Sequence, residues 1–292
     1  MRPASSRPSA SWRQRWPMPE FSDMDGATLL RLLQRVRGHT GIHMVEAKKT
    51  MLQARLRPRM RHLGIDSYAG YVEHLDRNED ERQPFVDAVT THQTSFFRTP
   101  KVWQYFRDVF LPGWAREERG RPLRVWSAAA STGEEACTIA ICCEEVRRQQ
   151  PGFSYEILGT DISTDVLAHA RAGRYSGSSV AAFRAGHPEI FERYDDARRP
   201  GQFMLEDAVR RCIAFEPHNL IEPVPWQDRF DVVFLRNVLI YFTADDIRRV
   251  VHHLVPSLRR QGKLVIGESE SLTSLDVPFQ FVQPQIYERA TA

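Results

Sequence analysis

Residues 123–141 read LRVWSAAASTGEEACTIAI, and this stretch decides the fold. A short run of β-branched and aromatic residues, Leu123 to Ser127, leads into a turn of small residues, Ala128 to Gly133. A helical pattern starts directly after the turn. A strand, a tight turn and a helix in this order are typical of α/β proteins, which bind ligands outside the carboxyl ends of their strands. The small side chains predict a turn that a ligand approaches closely.

The rest of the chain after residue 122 alternates short apolar runs with longer helical patterns. This alternation predicts a doubly wound α/β sheet with right-handed crossovers. Two final runs predict an antiparallel hairpin at one edge of that sheet. The predicted core strands and then the hairpin strands are Leu123 to Ser127, Glu156 to Gly159, Ile213 to Glu216, Phe230 to Leu235, Lys263 to Gly267, Phe279 to Val282 and Ile286 to Arg289.

Three further segments complete the organisation. Residues 1–20 combine prolines, serines and arginines without the apolar run of a signal peptide, and we expect a disordered leader. Residues 21–89 have only helical patterning and predict a small all-helical domain; residues 90–98, TTHQTSFFR, form a linker to a second domain at 99–292. A charged, turn-rich stretch at about 188–212 is too long for a simple loop and predicts a small inserted subdomain.

Composition narrows the classes of function. The net charge of +3 in 292 residues does not favour nucleic-acid binding, so any basic surface is a local patch. The four cysteines form no C-x-x-C pair, and we expect neither a metal site nor a disulfide framework. No stretch approaches the ~18 apolar residues of a membrane span. We expect a cytoplasmic protein with reduced thiols and no membrane insertion.

The turn after the first strand predicts the type of ligand. It lacks the G-x-G-x-x-G pattern of dinucleotide-binding proteins, and Glu134 and Glu135 open the helix where a pyrophosphate would lie. Carboxylates there suit a ligand with an ammonium and a sulfonium group. Asp161, 28 positions after Gly133, is placed to accept hydrogen bonds from ribose hydroxyls. The alternative for the turn is a purely structural one, a tight turn followed by a well-capped helix. The alternative for Asp161 is that it caps the helix beginning at Ser163 or Thr164.

A third group of polar residues follows the apolar strand in FDVVFLRNVLIYF, residues 230–242. Arg236, Asn237 and Tyr241 emerge at the same carboxyl edge as the first two motifs. Their presence there indicates a binding site, although Arg236 and Asn237 could instead satisfy loop carbonyl groups.

The helical domain contributes the basic stretch KKTMLQARLRPRMRH, residues 48–62. Its cations predict a docking surface for an acidic protein, because they raise the local concentration of an anionic partner. The alternative is a solvated helix face. The candidate docking residues are Lys48, Lys49, Arg55, Arg57, Arg59 and Arg61.

Six ordered motifs resemble the chemotaxis receptor glutamate methyltransferases from about residue 40 to the C-terminus: TTHQTSFFR, VWSAAASTGEEACTIA, LGTDIS, HNL, FDVVFLRNVLIYF and GKLVIGESESL. The resemblance implies a class I S-adenosylmethionine-dependent methyltransferase sheet, an N-terminal all-helical domain and a small inserted β-subdomain. It also implies an enzyme that esterifies glutamates in the acidic helical region of a methyl-accepting receptor, and we expect a monomer.

By the same resemblance, S-adenosylmethionine contacts fall on nine residues: His92, Thr94, Arg98, Glu134, Asp161, Asn219, Leu220, Arg236 and Asn237. The family usually has Asn at the position of His92. Family members that grip a receptor's C-terminal peptide also have a longer glycine-rich loop than the turn at Arg198 to Gly201. We expect Arg98 to hold the substrate carboxylate and Tyr241 to shape the methyl-transfer pocket.

Three other functions remain open. An NAD-dependent oxidoreductase shares the sheet but needs the missing glycine pattern. A nucleic-acid methyltransferase would explain the basic helix, although such enzymes resemble one another in an Asp or Asn followed by two prolines after the fourth strand. A cofactor-binding signalling scaffold without turnover is the non-enzymatic alternative, and His92 is the feature that favours it.

Overall fold

The computed structural model describes residues 23–118, 120–196 and 199–290. The predicted leader, residues 1–20, lies outside this range. The N-terminal part is all-helical, as predicted. Its helices are α1 (Gly26–Thr40), α2 (Lys49–Leu63), α3 (Tyr68–Arg77) and α4 (Arg82–Val89), with short 3-10 turns at Glu46–Lys48 and Glu79–Glu81.

The ends of these helices follow from the sequence. The Asp25 carboxylate accepts a hydrogen bond from the Thr28 amide at 2.7 Å and caps the start of α1. Gly41 ends α1 at φ 73°, in the left-handed conformation that glycine adopts without strain. Inside the domain, the buried carboxylate of Glu81 accepts hydrogen bonds from Arg59 and from the Tyr71 hydroxyl. This polar cluster joins α2 and α3 to the turn that precedes α4.

The second part of the chain forms a seven-stranded sheet in the order β5-β2-β1-β6-β7-β9-β8. All neighbouring strands are parallel except β7 with β9 and β9 with β8, which are antiparallel. The predicted doubly wound sheet and its edge hairpin are confirmed. The strands are β1 (Leu123–Ala128), β2 (Tyr155–Asp161), β5 (Ile213–Pro217), β6 (Phe230–Leu235), β7 (Leu258–Ile266), β8 (Phe279–Gln283) and β9 (Ile286–Arg289).

Helices cover both faces of this sheet, so most residues of its central strands are buried. Every residue of β6 is buried, as expected for a parallel strand packed on both sides. The Thr243 side chain caps the start of helix α12 (Ala244–Leu254). Its hydroxyl accepts a hydrogen bond from the Asp246 amide and donates one to the Asp246 carboxylate. The helices of this part are α5 (Pro100–Tyr105), α6 (Leu111–Glu117), α7 (Glu134–Gln149), α8 (Thr164–Ala172), α9 (Ser178–Gly186), α10 (Pro188–Tyr194), α11 (Asp207–Arg210) and α12 (Ala244–Leu254), with a π-helical turn at Phe106–Phe110 and 3-10 turns at Leu239–Tyr241 and Val255–Ser257.

The inserted segment begins earlier than the sequence predicted. A separate two-stranded antiparallel sheet pairs β3 (Arg174–Ser176) with β4 (Gln202–Met204), and α9 and α10 lie between the two strands. This small sheet starts before the predicted boundary near residue 188, because three-residue strands are too short to show a periodic pattern. Of the predicted turn at Arg198 to Gly201, Arg198 lies outside the described residues.

No helix in the described ranges is both long and apolar enough to cross a membrane.

Candidate active site

A cavity of about 530 Å³ lies between the helical domain and the carboxyl edge of the sheet. Two sets of hydrogen bonds hold the domains together beside it. At one side, the Asn219 carboxamide donates to the His39 carbonyl at 2.9 Å and the His43 amide donates to the Tyr241 carbonyl at 2.8 Å. At the other side, Asp87 on α4 accepts from the backbone amide of Thr164 at 3.0 Å. Both domains therefore build the walls of one site.

The turn after β1 follows the backbone path that the small residues predict. Ala129, Ser131 and Gly133 all have positive φ, and Ala129 and Ser131 line the cavity. A Cβ on Gly133 would lie 2.8 Å from the Tyr175 hydroxyl and 3.0 Å from the Ala170 side chain. Glycine is therefore required for the turn to pack against its neighbours.

Asp161 ends β2 inside the cavity wall and is only 5% exposed. Its carboxylate accepts hydrogen bonds from the backbone amides of Ser131 at 2.9 Å and Ser163 at 3.0 Å. Burial raises the pKa of Asp161 above its usual range, against the opposing effect of these two amides. The carboxylate supports the start of α8, as the capping alternative anticipated. Because a carboxylate has about four acceptor positions, it can also accept from ribose hydroxyls.

The two glutamates after the turn occupy different environments. Glu134 is buried, accepts a hydrogen bond from the Thr132 hydroxyl, and is absent from the cavity wall. Burial raises the pKa of the Glu134 carboxyl. Glu135 lines the cavity instead, where its carboxylate is paired with Arg236. The placement of Glu134 at the cofactor stays a prediction.

Arg236 and Glu135 form a buried ion pair at the cavity wall. Their side chains are 2% and 12% exposed, and Nη1 of Arg236 lies 2.8 Å from Oε2 of Glu135. Ser127 donates its hydroxyl to the other oxygen of the same carboxylate, and Arg236 also donates to the Arg98 carbonyl at 2.7 Å. The guanidinium lies over the Trp103 ring. Arg236 thus joins the end of β6 to the linker and to the helix that begins with the Glu134–Glu135 pair.

Glu270 shapes the loop after β6, and the sequence reasoning missed it. Its carboxylate accepts hydrogen bonds from the backbone amides of Asn237, Ile240 and Gly267. Asn237 is held at φ 58°, and both Asn237 and Tyr241 line the cavity. The signal for Glu270 was present in the motif GESESL, but an acidic residue after a strand does not identify amides that are 30 positions away.

His92 lines the cavity beside Asp161, and a hydrogen-bond chain fixes its tautomer. The Thr90 hydroxyl donates to the Val86 carbonyl at 2.8 Å, so its oxygen accepts the hydrogen bond from Nε2 of His92, also at 2.8 Å. In the neutral imidazole the proton is therefore on Nε2, and Nδ1 is an acceptor. Burial lowers the pKa of His92, while the carboxylates of Asp161 and Asp87 act in the opposite direction.

The structure brings eight of the nine predicted cofactor residues to this one cavity. Thr94, Arg98 and Leu220 line it together with His92, Asp161, Arg236 and Asn237. Asn219 lines it as well, but its carboxamide is engaged with the His39 carbonyl of the helical domain.

Two family models match nearly the whole described chain. The CheR methyltransferase SAM binding domain matches residues 92–287, and the CheR methyltransferase all-alpha domain matches residues 27–90. The chain belongs to the CheR methyltransferase family. The two matches meet at the linker, so they account for the helical domain and the sheet as parts of one enzyme family.

The chain matches three named relatives over nearly the full length of each relative. Chemotaxis protein methyltransferase 1 of Vibrio cholerae is 34% identical over 267 residues, covering 90% of this chain and 94% of the relative. Chemotaxis protein methyltransferase 1 of Pseudomonas aeruginosa is 33% identical over 256 residues, covering 86% and 93%. The chemotaxis protein methyltransferase of Salmonella typhimurium is 32% identical over 291 residues, covering 97% of each chain.

S-adenosylmethionine is the cofactor of this CheR methyltransferase, and the residues present fit it. The buried Asp161 carboxylate suits ribose hydroxyls, and Glu135 suits a cationic group. Two buried nitrogens on the cavity-lining residues His218 and Arg236, Nε2 and Nε respectively, have no hydrogen-bond partner among the described residues. Nε of Arg236 is a donor that an acceptor atom of a ligand would satisfy, and Nε2 of His218 donates or accepts according to its tautomer.

The predicted basic docking residues divide into two groups. Arg55 donates to the carbonyls of Val89 and Thr90 at the start of the linker, and Arg59 pairs with buried Glu81. These contacts tie the two arginines to the helical domain, although Arg55 also lines the cavity, and Lys49 pairs with Asp23 at 2.8 Å. The docking role of these residues stays a prediction. Lys48, Arg57 and Arg61 are exposed, although Arg57 also donates to the Tyr68 hydroxyl. Lys48 lines the cavity itself.

Proposed function

We propose that this enzyme transfers a methyl group from S-adenosylmethionine to glutamate side chains in the acidic, helical cytoplasmic region of a methyl-accepting chemotaxis receptor. It acts in the cytoplasm as a monomer and does not insert into the membrane. One observation supports this function above others: a single cavity joins the carboxylates Asp161 and Glu135 with the cations Lys48 and Arg98. The carboxylates suit the cofactor, and the cations suit an acidic substrate.

The reaction needs no enzymatic base. A glutamate side chain is ionised at neutral pH, since its reference pKa is ~4.3. S-adenosylmethionine supplies a methyl group bonded to a sulfonium that leaves as a neutral thioether. One O–C bond forms and one S–C bond breaks, so the product is a glutamate methyl ester. The task of the protein is to position the carboxylate and to exclude water, and positioning can contribute roughly 7–11 kcal/mol in favourable cases.

Arg98 and Tyr241 are the residues proposed for that task. The Arg98 side chain lines the cavity and donates to the Gln93 carbonyl at 2.9 Å, and its own carbonyl is fixed by Arg236. Its guanidinium retains further donors for an incoming carboxylate. Tyr241 lines the same cavity and is held through its carbonyl by the His43 amide at 2.8 Å. Its ring would exclude water from the side of the methyl group.

The exposed cations support docking of an anionic helix. Lys48, Arg57 and Arg61 remain on the surface after Arg55 and Arg59 are assigned to the interior contacts of the domain. A local positive surface on the helical domain, which reaches the cavity at Lys48, accelerates encounter with an acidic partner, and this contribution weakens as salt rises.

The test is transfer of a radioactive methyl group from S-adenosylmethionine to a purified receptor cytoplasmic fragment, measured as base-labile label. Arg98→Ala should lower kcat at least ten-fold, and full turnover with unchanged substrate affinity would refute its role. Lys48→Ala should raise KM, whereas Arg77→Ala, which removes an exposed cation away from the cavity, should not. Tight binding of S-adenosylmethionine without label in any fragment would favour the scaffold instead. Label in nucleic acid would favour the nucleic-acid enzyme.

A further inference from the structure

Two large apolar side chains at the mouth of the cavity are exposed to solvent. Val45 is 49% exposed and Ile240 is 52% exposed, and both line the cavity. They come from different domains: Val45 precedes the 3-10 turn at Glu46–Lys48, and Ile240 lies in the 3-10 turn after β6. Only six large apolar residues are this exposed in the parts of the chain that the structure describes. Two of these six residues, Val45 and Ile240, therefore lie at the mouth of one cavity, and we call this surface the rim.

Both side chains are held in place before any substrate arrives. The His43 amide bonds to the Tyr241 carbonyl at 2.8 Å, which links the segments that carry them. The Ile240 amide bonds to Glu270, and the Leu239 side chain anchors its turn in the core. The Lys48 amide donates to the Val45 carbonyl at 2.9 Å, which fixes the backbone of the turn between these two residues. The rim is a pre-formed surface, so little order is lost when a partner covers it.

The rim combines apolar contacts with positive charge. Met44 and Met51 are half-buried and line the same cavity, and methionine adapts its shape to different partners. Lys48 and Arg98 lie in the same lining. A partner that complements this surface places a carboxylate inside the cavity and has apolar side chains next to that carboxylate. Solvent-exposed apolar surface of this kind marks an interaction site.

We infer that Val45 and Ile240 clamp apolar side chains on each side of the target glutamate and thereby select which glutamate of an amphipathic helix enters the cavity. This inference rests on the proposed function and specifies its substrate. A helix fits better than an extended peptide, because Ile240 lies in a 3-10 turn, Val45 directly precedes another, and neither belongs to a strand whose edge could pair with a backbone. On a helix, residues three and four positions from the glutamate lie on the same face and meet the rim.

The experiment uses two designed antiparallel coiled coils, each with one exposed glutamate. In the first, leucine occupies the positions three before and four after that glutamate; in the second, serine occupies both. Wild-type enzyme should methylate the leucine helix with a KM at least ten-fold lower and a kcat within about two-fold. The double variant Val45→Ser/Ile240→Ser should raise KM for the leucine helix by about ten-fold and leave KM for the serine helix unchanged.

A matched control keeps the result specific to the rim. Leu30→Ser/Val282→Ser removes one exposed apolar side chain from each domain, at 50% and 45% exposure, and neither residue lines the cavity. This control should behave as wild type, and binding of S-adenosylhomocysteine should be equal in all three proteins. Equal KM values for both helices with wild type would overturn the inference while leaving the proposed function standing. Absence of label in both helices would overturn the proposed function itself.

Discussion

Replacing Arg236 with methionine should destabilise the sheet domain by about 3–5 kcal/mol, because the change leaves the buried carboxylate of Glu135 without its cation. The Glu135 side chain is 12% exposed, so water cannot replace the lost partner fully. One hydrogen bond to the carboxylate survives, from the Ser127 hydroxyl at 2.8 Å. The Arg98 carbonyl also loses its donor.

The reciprocal change separates charge from packing. Glu135→Gln keeps an oxygen for Ser127 but leaves the guanidinium buried over the Trp103 ring, and it should cost about 3 kcal/mol. In the double variant no charge is buried, and the main remaining loss is the hydrogen bond to the Arg98 carbonyl, about 1–3 kcal/mol. The double variant should thus be more stable than the Arg236→Met single variant, with a coupling energy of at least about 3 kcal/mol.

Urea unfolding of the four proteins, followed by tryptophan fluorescence and by circular dichroism, measures these differences. A thermal scan should show the same order, at about 2–4 °C for each kcal/mol. If the two single losses simply added in the double variant, Arg236 and Glu135 would not be energetically coupled, and the reasoning from their 2.8 Å contact would be refuted.

Three further predictions concern the cavity. Asp161→Ala should weaken S-adenosylmethionine binding at least 100-fold in calorimetry, since two charge-assisted hydrogen bonds of about 1.5–3 kcal/mol each are lost; retained affinity would remove Asp161 from the site. Burial lowers the pKa of His92, so cofactor binding should be constant above the ordinary value of 6.5 and weaken as pH falls through the lowered pKa. His92→Asn should remove the His92 part of this decline and leave the part due to protonation of Asp161, whose pKa is raised by burial; an identical pH profile would contradict the role of His92. Glu270→Gln retains one acceptor oxygen for the three amides of the loop and should lower kcat about ten-fold, with cofactor affinity within two-fold of wild type in the same titration.

Local patterns predicted the sheet well because its strands are short, buried and separated by helices. The predicted limits of Phe230 to Leu235 and Ile286 to Arg289 match β6 and β9. The last core strand begins at Leu258 rather than Lys263, because Gln261 at φ 60° lies in an irregular stretch between two paired segments. Such an irregularity depends on the partner strand and leaves no periodic signal in the sequence.

The choice between Glu134 and Glu135 shows a different limit. Adjacent helix residues point about 100° apart, so the two carboxylates have different surroundings, and Glu135 is the one that lines the cavity. The polar face of a helix usually tells which one, but α7 is buried on nearly all sides from Ala136 to Glu144. Its sequence therefore has no solvent-facing stripe from which the orientation could be read.

The sequence by itself determined the α/β class, the all-helical N-terminal part and the sheet edge that contains the site, because buried parallel strands place their following loops at one edge. Tertiary structure decided which polar groups remain available there. Arg55 and Arg59 belong to the interior contacts of the helical domain, and Asn219 belongs to the junction between domains. Glu270 shapes a loop 30 residues away. Each of these roles depends on a partner distant in sequence, and only the folded chain brings the two together.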